Sequence, residues 1–226
     1  MGAWIIKDFI EISDKTRKGT ILECFSYKEI DETFICDIIE DNKIKTIQIS
    51  KTLPAEAYQI IDSILERKPQ LNFRVYNLYF YNQYDISFLE KMSHLRSLRI
   101  DCHLRDWNNM IDFNILTKLN LKSLYLNAFE LKDYTFIKNL SKNLEELLIY
   151  ADTMGSSIYF DCKWLLQYKK MHTLWLGKKA KKNIECLSEM KSLKSLSLRG
   201  IKLLSFDFLR DLNLEKLELL WNSNND

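Results

Sequence analysis

The side chains in this chain that could do covalent or acid–base chemistry are few. There are three histidines, His94, His103 and His172, and five cysteines, Cys24, Cys36, Cys102, Cys162 and Cys186. A thiol or imidazole becomes a nucleophile, base or ligand only with a partner held at hydrogen-bonding distance. Asp101-Cys102-His103 puts such groups side by side in the chain, but neighbours on a strand point in opposite directions, so the triplet reads as ordinary turn and surface residues. The cysteines are odd in number, widely spread and without a C-x-x-C pair, which suggests neither a disulfide framework nor a zinc site. They read as reduced thiols in a cytosol. Glu23, Asp37 and Glu40 lie in strand-like runs and look like carboxylates of solvated strand faces. Neither G-x-x-x-x-G-K-[ST] nor G-x-G-x-x-G occurs.

Basic chemistry is concentrated in one run, GKKAKK from Gly177 to Lys182. Lys and Arg number 33 against 31 Asp and Glu, a formal charge of +2, so no long-range field favours nucleic acid or an anionic membrane. The run reads as a solvated loop. No catalytic, cofactor-binding or metal-binding residue is assigned, and the chain is expected not to be an enzyme. The N-terminus MGAWIIKDFIEIS is interrupted by Lys7, Asp8 and Glu11, unlike a signal peptide, and no apolar run approaches the roughly 20 residues of a membrane helix. Position 6 is not Ser or Thr, so the myristoylation pattern is incomplete. The expectation is an unanchored cytoplasmic protein.

What the sequence offers instead is a rhythm. An apolar residue, two variable ones, Leu, one variable, then Leu or Ile recurs as LRSLRI from Leu95, LKSLYL from Leu121, LEELLI from Leu144, MHTLWL from Met171, LKSLSL from Leu193 and LEKLEL from Leu214. Looser copies are IKTIQI from Ile44 and VYNLYF from Val75, giving spacings of 31, 20, 26, 23, 27, 22 and 21 residues. The central column is Ile47, Leu78, Leu98, Leu124, Leu147, Leu174, Leu196 and Leu217. Before most copies lies an apolar pair with a third apolar residue at helical distance: Phe88-Leu89 with Met92, Ile115-Leu116 with Leu119, Phe136-Ile137 with Leu140, Trp164-Leu165 with Tyr168, and Phe208-Leu209 with Leu212. That spacing marks one face of a short helix or 3₁₀ turn. Neither strand nor turn can bury its apolar side alone, so successive units must stack into a parallel sheet with turns behind it.

These motifs resemble the leucine-rich repeat family over roughly residues 44–222, most securely from Leu95 onward. The resemblance implies an α/β solenoid: a curved parallel sheet inside, short helices or 3₁₀ turns outside. It departs from the family where an Asn or Cys normally follows the strand, since only Asn222 sits there; Gln83, His103, Phe129, Asp152, Lys179 and Ile201 occupy the other copies. Uneven turns are therefore expected. Residues 1–43 lack the repeat and carry strand-like runs, IIKDFIEI, TILECFSY and TFICDIIE, which suggests a β-rich N-terminal cap ahead of a repeat domain at 44–226. A helix is predicted from about Pro54 to Arg67, with Ala57, Ile60, Ile61, Ile64 and Leu65 on one side.

Strand alternation identifies the residues facing away from the core. The fifth positions are Gln48, Tyr79, Arg99, Tyr125, Leu148, Trp175, Ser197 and Glu218; the seventh are Ser50, Tyr81, Asp101, Asn127, Tyr150, Gly177, Arg199 and Leu220. Four tyrosines, a tryptophan and two arginines among them are residue types that dominate protein interfaces. The candidate protein-binding set is Tyr79, Tyr81, Arg99, Asp101, Tyr125, Asn127, Tyr150, Trp175 and Arg199. The resemblance implies a module that holds another protein on its concave face, for instance a bacterial immunity protein that neutralises a toxin by covering it. The alternative is a scaffold or adaptor. Leu214–Leu220 is a good repeat strand followed by only WNSNND, so a sheet edge there could pair with a second copy to form a homodimer, or the chain could be a fragment.

Overall fold

The computed structural model describes residues 8–18, 23–76, 85–104 and 111–220. Its strands are β1 (Phe9–Ser13), β2 (Phe25–Ser26), β3 (Thr46–Ile49), β4 (Asn72–Tyr76), β5 (Ser97–His103), β6 (Ser123–Phe129), β7 (Glu146–Ala151), β8 (Thr173–Lys178), β9 (Ser195–Arg199) and β10 (Lys216–Leu220). They form a single sheet in the order β10-β9-β8-β7-β6-β5-β4-β3-β1-β2, and every pairing between them is parallel. From β3 onward each strand pairs with the next in sequence. The chain is an open α/β solenoid.

The alternation that the repeat predicts is visible strand by strand. In β5, Leu98, Ile100 and Cys102 are buried while Ser97, Arg99, Asp101 and His103 are half-buried on the other face. The central leucines Leu98, Leu124, Leu147, Leu174 and Leu196 are all 0% exposed. In β10 the column fails: Leu217 is 43% exposed and Leu219 44%, because this strand has a single neighbouring strand among the described residues.

The second repeat does not follow the predicted register. Phe73, and not Leu78, stands opposite both Ile47 and Leu98, and Val75 stands opposite Ile49 and Ile100. The central-column spacings around it are then 73 − 47 = 26 and 98 − 73 = 25 residues, close to those that follow, in place of 31 and 20. Phe73 and Val75 are fully buried and fill the sites that leucine fills elsewhere. A leucine at the right local spacing in VYNLYF outweighed the irregular interval, which was the signal of a misplaced register.

Between strands the chain crosses back through single 3₁₀ turns at Ser87–Lys91, Phe113–Lys118, Thr135–Asn139, Cys162–Gln167, Ile184–Glu189 and Asp207–Asp211. A common local device starts most of them. The carboxylate of Asp85, Asp112, Asp133 or Asp161 accepts the backbone N–H two residues on, at 2.8, 3.0, 2.8 and 3.0 Å, and the Ser205 hydroxyl does the same for Asp207. An acceptor placed there satisfies a donor that the turn leaves orphaned. After the four aspartates the next residue, Ile86, Phe113, Tyr134 or Cys162, is buried, and so are Leu89, Leu116, Ile137 and Leu165; after Ser205, Phe206 and Leu209 are half-buried. Asn183 departs from this pattern: it sits in the left-handed region at φ 56° and donates instead to both Asp161 oxygens, at 2.9 and 2.8 Å. Its turn, with Ile184, Cys186, Leu187 and Met190 buried, was not among the expected apolar pairs. In two expected pairs the burial is uneven, since Trp164 and Leu209 are only half-buried.

The N-terminal segment is less β-rich than its sequence suggests. TFICDIIE lies within a helix, α1 (Glu32–Glu40), capped by Asp31, whose carboxylate accepts from the Phe34 N–H at 2.9 Å. Ile35 and Ile38 are its buried residues. The run satisfies both periods, and packing against the second helix, α2 (Ala55–Arg67), decides for the 3.6-residue one. α2 lies where expected, burying Ala57, Tyr58, Ile61, Ile64 and Leu65, with Ile60 half-buried. Just beyond α2, Lys68 is buried and its ammonium donates to the Ile38 and Asp41 carbonyls at 2.9 and 2.8 Å, tying the ends of the helices together. β1 continues the main sheet, with Ile10 opposite Ile47, so the first strand shares the hydrogen-bonded ladder of the repeats.

Leu174→Ala should remove about 2–5 kcal/mol of stability through lost burial and a cavity, and because stacked repeats support one another, hydrogen exchange should quicken around Leu147 and Leu196. Asp85 offers a pH test. The Ser87 backbone N–H, then the Ser87 hydroxyl, hold its carboxyl below the usual range. A depressed folded pKa contributes stability that is present at neutral pH and lost as pH falls through that pKa. Asp85→Ala should cost about 1 kcal/mol at pH 7, and urea titrations of the two proteins should converge as the pH drops below about 4, the ordinary carboxylate value.

Candidate functional site

The sheet face opposite the 3₁₀ turns carries the third, fifth and seventh positions of each repeat. Its fifth-position row runs Glu11, Gln48, Arg74, Arg99, Tyr125, Leu148, Trp175, Ser197, Glu218, each opposite the next across the ladder. On the N-terminal half this row is closed upon itself by hydrogen bonds. The Glu11 carboxylate is only 5% exposed and accepts from Gln48 Nε2 at 2.9 Å and Ser50 Oγ at 2.8 Å. Arg74 Nη1 donates to Gln48 Oε1 at 3.0 Å, and Arg74 Nε donates to Asp101 Oδ2 at 2.8 Å. Asp101 Oδ1 accepts from Asn127 Nδ2 at 3.2 Å. Every charge in this chain of contacts has a partner.

The C-terminal half is different in kind. Tyr125, Leu148, Tyr150, Trp175, Gly177 and Arg199 line one depression between β6 and β9. The Arg99 guanidinium lies 4.9 Å from the Tyr125 ring centre, and that of Arg199 lies 4.4 Å from the Trp175 ring centre, both within cation–π range. Neither arginine makes an ion pair with a carboxylate among the described residues. Glu218 stands near Arg199 but pairs with Lys216 at 2.8 Å. Arg199 Nε is buried and has no acceptor. Burial, and secondarily the Asp101 charge, raise the Tyr125 phenol above its usual pKa, so it stays neutral; Arg99, Arg74 and Arg199 pull the other way.

One glycine holds this patch together. Tyr150 stands opposite Gly177, and a Cβ added at Gly177 would meet Tyr150 Cδ2 at 2.4 Å and Cε2 at 2.9 Å. The tyrosine ring thus lies across the neighbouring strand in the space a side chain would take. Close approach, rather than an unusual φ, is the reason for glycine here.

The structure brings Arg99, Asp101, Tyr125, Asn127, Tyr150, Trp175 and Arg199 onto this face, as the alternation predicts. It divides them, with Asp101 and Asn127 inside the polar network and the other five in the aromatic patch. Tyr79 and Tyr81 lie outside the described residues, and their expected places in the two rows belong to Arg74, opposite Arg99, and Tyr76, opposite Asp101. Arg74 and Tyr76 were missed through the misplaced register; the Arg74 guanidinium stacks 4.4 Å from the Tyr76 ring centre. Leu148 was in the expected row but not in the candidate set, because a leucine carries no polar handle.

Elsewhere the reactive side chains serve structure. Cys102 points into the core while Asp101 and His103 point out, so the triplet does not converge. Burial pushes the Cys102 thiol up to about 12 and the Cys186 thiol to about 11. His94 Nδ1 lies 3.0 Å from Asp62 Oδ2 and its backbone N–H donates to Asp62 Oδ1 at 2.9 Å, fastening the turn before β5 to α2. Asp37 and Glu40 belong to α1 and not to a strand. In the basic run, Lys179 Nζ donates to the Ser156 carbonyl and Lys181 Nζ to the Lys202 carbonyl at 2.6 Å, so these lysines stitch neighbouring loops. Among the described residues no group of three or more His, Cys, Asp or Glu converges on a metal-sized site, and no helix is long and apolar enough to cross a membrane.

Fold and face together define an α/β solenoid with a half-polar, half-aromatic sheet surface. No known family model and no curated protein matches this chain.

Gly177→Ala tests the packing of the patch. Driving a methyl into the Tyr150 ring should cost about 1–3 kcal/mol. In a Tyr150→Ala background the same substitution should become neutral or stabilising by up to about 1 kcal/mol, because alanine reduces the freedom of the unfolded chain. Melting curves of the four proteins give the coupling directly.

Proposed function

We propose that this chain is a protein-binding module of the leucine-rich repeat kind, and that it holds its partner on the aromatic half of the sheet face. One observation carries this reading: Tyr125, Leu148, Tyr150 and Trp175 sit together on a face that the core does not use. An aromatic cluster left half-exposed on one surface is a common mark of an interface, and its centre is where binding energy concentrates. The neighbouring polar network supplies a rim whose own hydrogen bonds are already made. A partner held in this way is covered, and the specific form proposed is an inhibitor of the immunity-protein type, which silences a toxin by occluding it.

Trp175→Ala should weaken binding by about 2 kcal/mol or more, while stability changes far less than in Leu174→Ala, the adjacent residue that faces the core. Wild-type and Trp175→Ala proteins should be used as paired baits in the native host, and the recovered partner titrated against both. A partner held by the wild type and released by the variant supports the site. Equal retention by both places binding elsewhere. The inhibitor form is tested by co-expression: growth should be rescued from a toxin encoded beside this chain, and absence of binding to that toxin removes it.

A further inference from the structure

We infer that the partner presents an acidic, extended segment, in which two carboxylates seat on Arg99 and Arg199 and an apolar side chain between them seats against Leu148 and Trp175. The inference rests on the proposed binding face and adds the chemistry of what occupies it. Charge complementarity is the argument. Arg74 shows what this sheet does with an arginine it uses internally: the guanidinium is neutralised by Asp101 and bonded to Gln48. Arg99 and Arg199 are treated otherwise. Each lies over an aromatic ring, which orients the guanidinium plane without satisfying its N–H donors, and neither has a carboxylate partner among the described residues. The buried Nε of Arg199 lacks any acceptor. A stacked, preoriented guanidinium without a carboxylate partner is matched best by an incoming carboxylate, which bonds arginine through two parallel N–H groups.

The spacing sets the geometry of the segment. β5 and β9 are four steps apart in the sheet, or about 19 Å at the usual separation of strands, a distance an extended chain covers in about six residues. Strand order places Leu148 and Trp175 between the two arginines, with Arg99 in their row and Arg199 in the seventh-position row, opposite Gly177, so the segment crosses the strands on a slant. A segment lying across the strands can therefore carry acidic residues about six apart with a bulky apolar residue between them.

The probe is a library of random twelve-residue peptides displayed on phage and selected against the immobilised full chain, with the selected sequences then made as free peptides for titration. Expected are acidic peptides carrying an apolar or aromatic centre. Their affinity should fall at least about tenfold in Trp175→Ala and in either Arg99→Gln or Arg199→Gln, the size of one lost charge-assisted bond, and should weaken as salt is raised from 50 to 500 mM. Each variant is first checked by its melting curve, so that loss of the face is separated from loss of the fold. Peptides that need Trp175 but show no acidic bias and are indifferent to both arginine variants overturn this inference and leave the binding face standing. Peptides indifferent to Trp175→Ala overturn both. A selection that enriches nothing over background overturns the claim that a linear segment is what the face takes.

Discussion

Everything in this molecule depends on a strand and a 3₁₀ turn being unable to bury their apolar sides separately. A five-residue strand such as β9 and a five-residue turn such as Asp207–Asp211 would each be unstable in water. Stacked, they share one continuous core, in which Leu98, Leu124, Leu147, Leu174 and Leu196 lose all contact with solvent. Stability is then passed from neighbour to neighbour along the sheet. The constraint also explains why the opposite face is free for other work. Residues there are held in register by the core beneath them and need not contribute to it.

The same division explains how much could be read from the chain. The leucine rhythm from Leu95 onward is strongly patterned because burial on one side of a strand leaves little choice of residue, and it locates β5 to β10 and the outward rows that alternate with the core. Where Phe73 and Val75 fill the core in place of leucine, the pattern has no preferred residue type, and a nearby leucine in the wrong frame displaced the register by five residues. The helix α1 was illegible for a related reason: TFICDIIE satisfies strand and helix periods alike, and only its packing beside α2 distinguishes them. A regularity of another kind was in plain view. Asp, an apolar residue, a polar residue and two apolar residues open the turns at Asp85, Asp112, Asp133 and Asp161. Each of these aspartates accepts the backbone N–H two residues on and so satisfies a donor at the start of its turn.

The outward face was legible in composition but not in its division of labour. Arg74, Arg99 and Arg199 share a side-chain type, and the sequence cannot say which of them is spent on neighbours. Register decides: Arg74 comes within reach of Asp101 and Gln48, whereas Arg99 and Arg199 come to rest on aromatic rings. Hydrogen bonds close the N-terminal half of the face upon itself, and the C-terminal half is left with aromatic surface and positive charge. Leu148, unremarkable in the sequence, becomes central because its neighbours on both sides are aromatic.

The ring of Tyr150 filling the place of a side chain at Gly177 bears on how such a protein can change over generations. Solenoids ordinarily evolve and are engineered by duplicating, deleting or exchanging whole repeats, since each unit meets only the next through a generic seam. Here the seam between β7 and β8 is specific: a repeat brought in beside Tyr150 must bring a glycine, and a repeat brought in beside Gly177 leaves a gap unless it brings an aromatic ring. Exchanging either unit alone therefore carries a stability cost that exchanging the two together avoids.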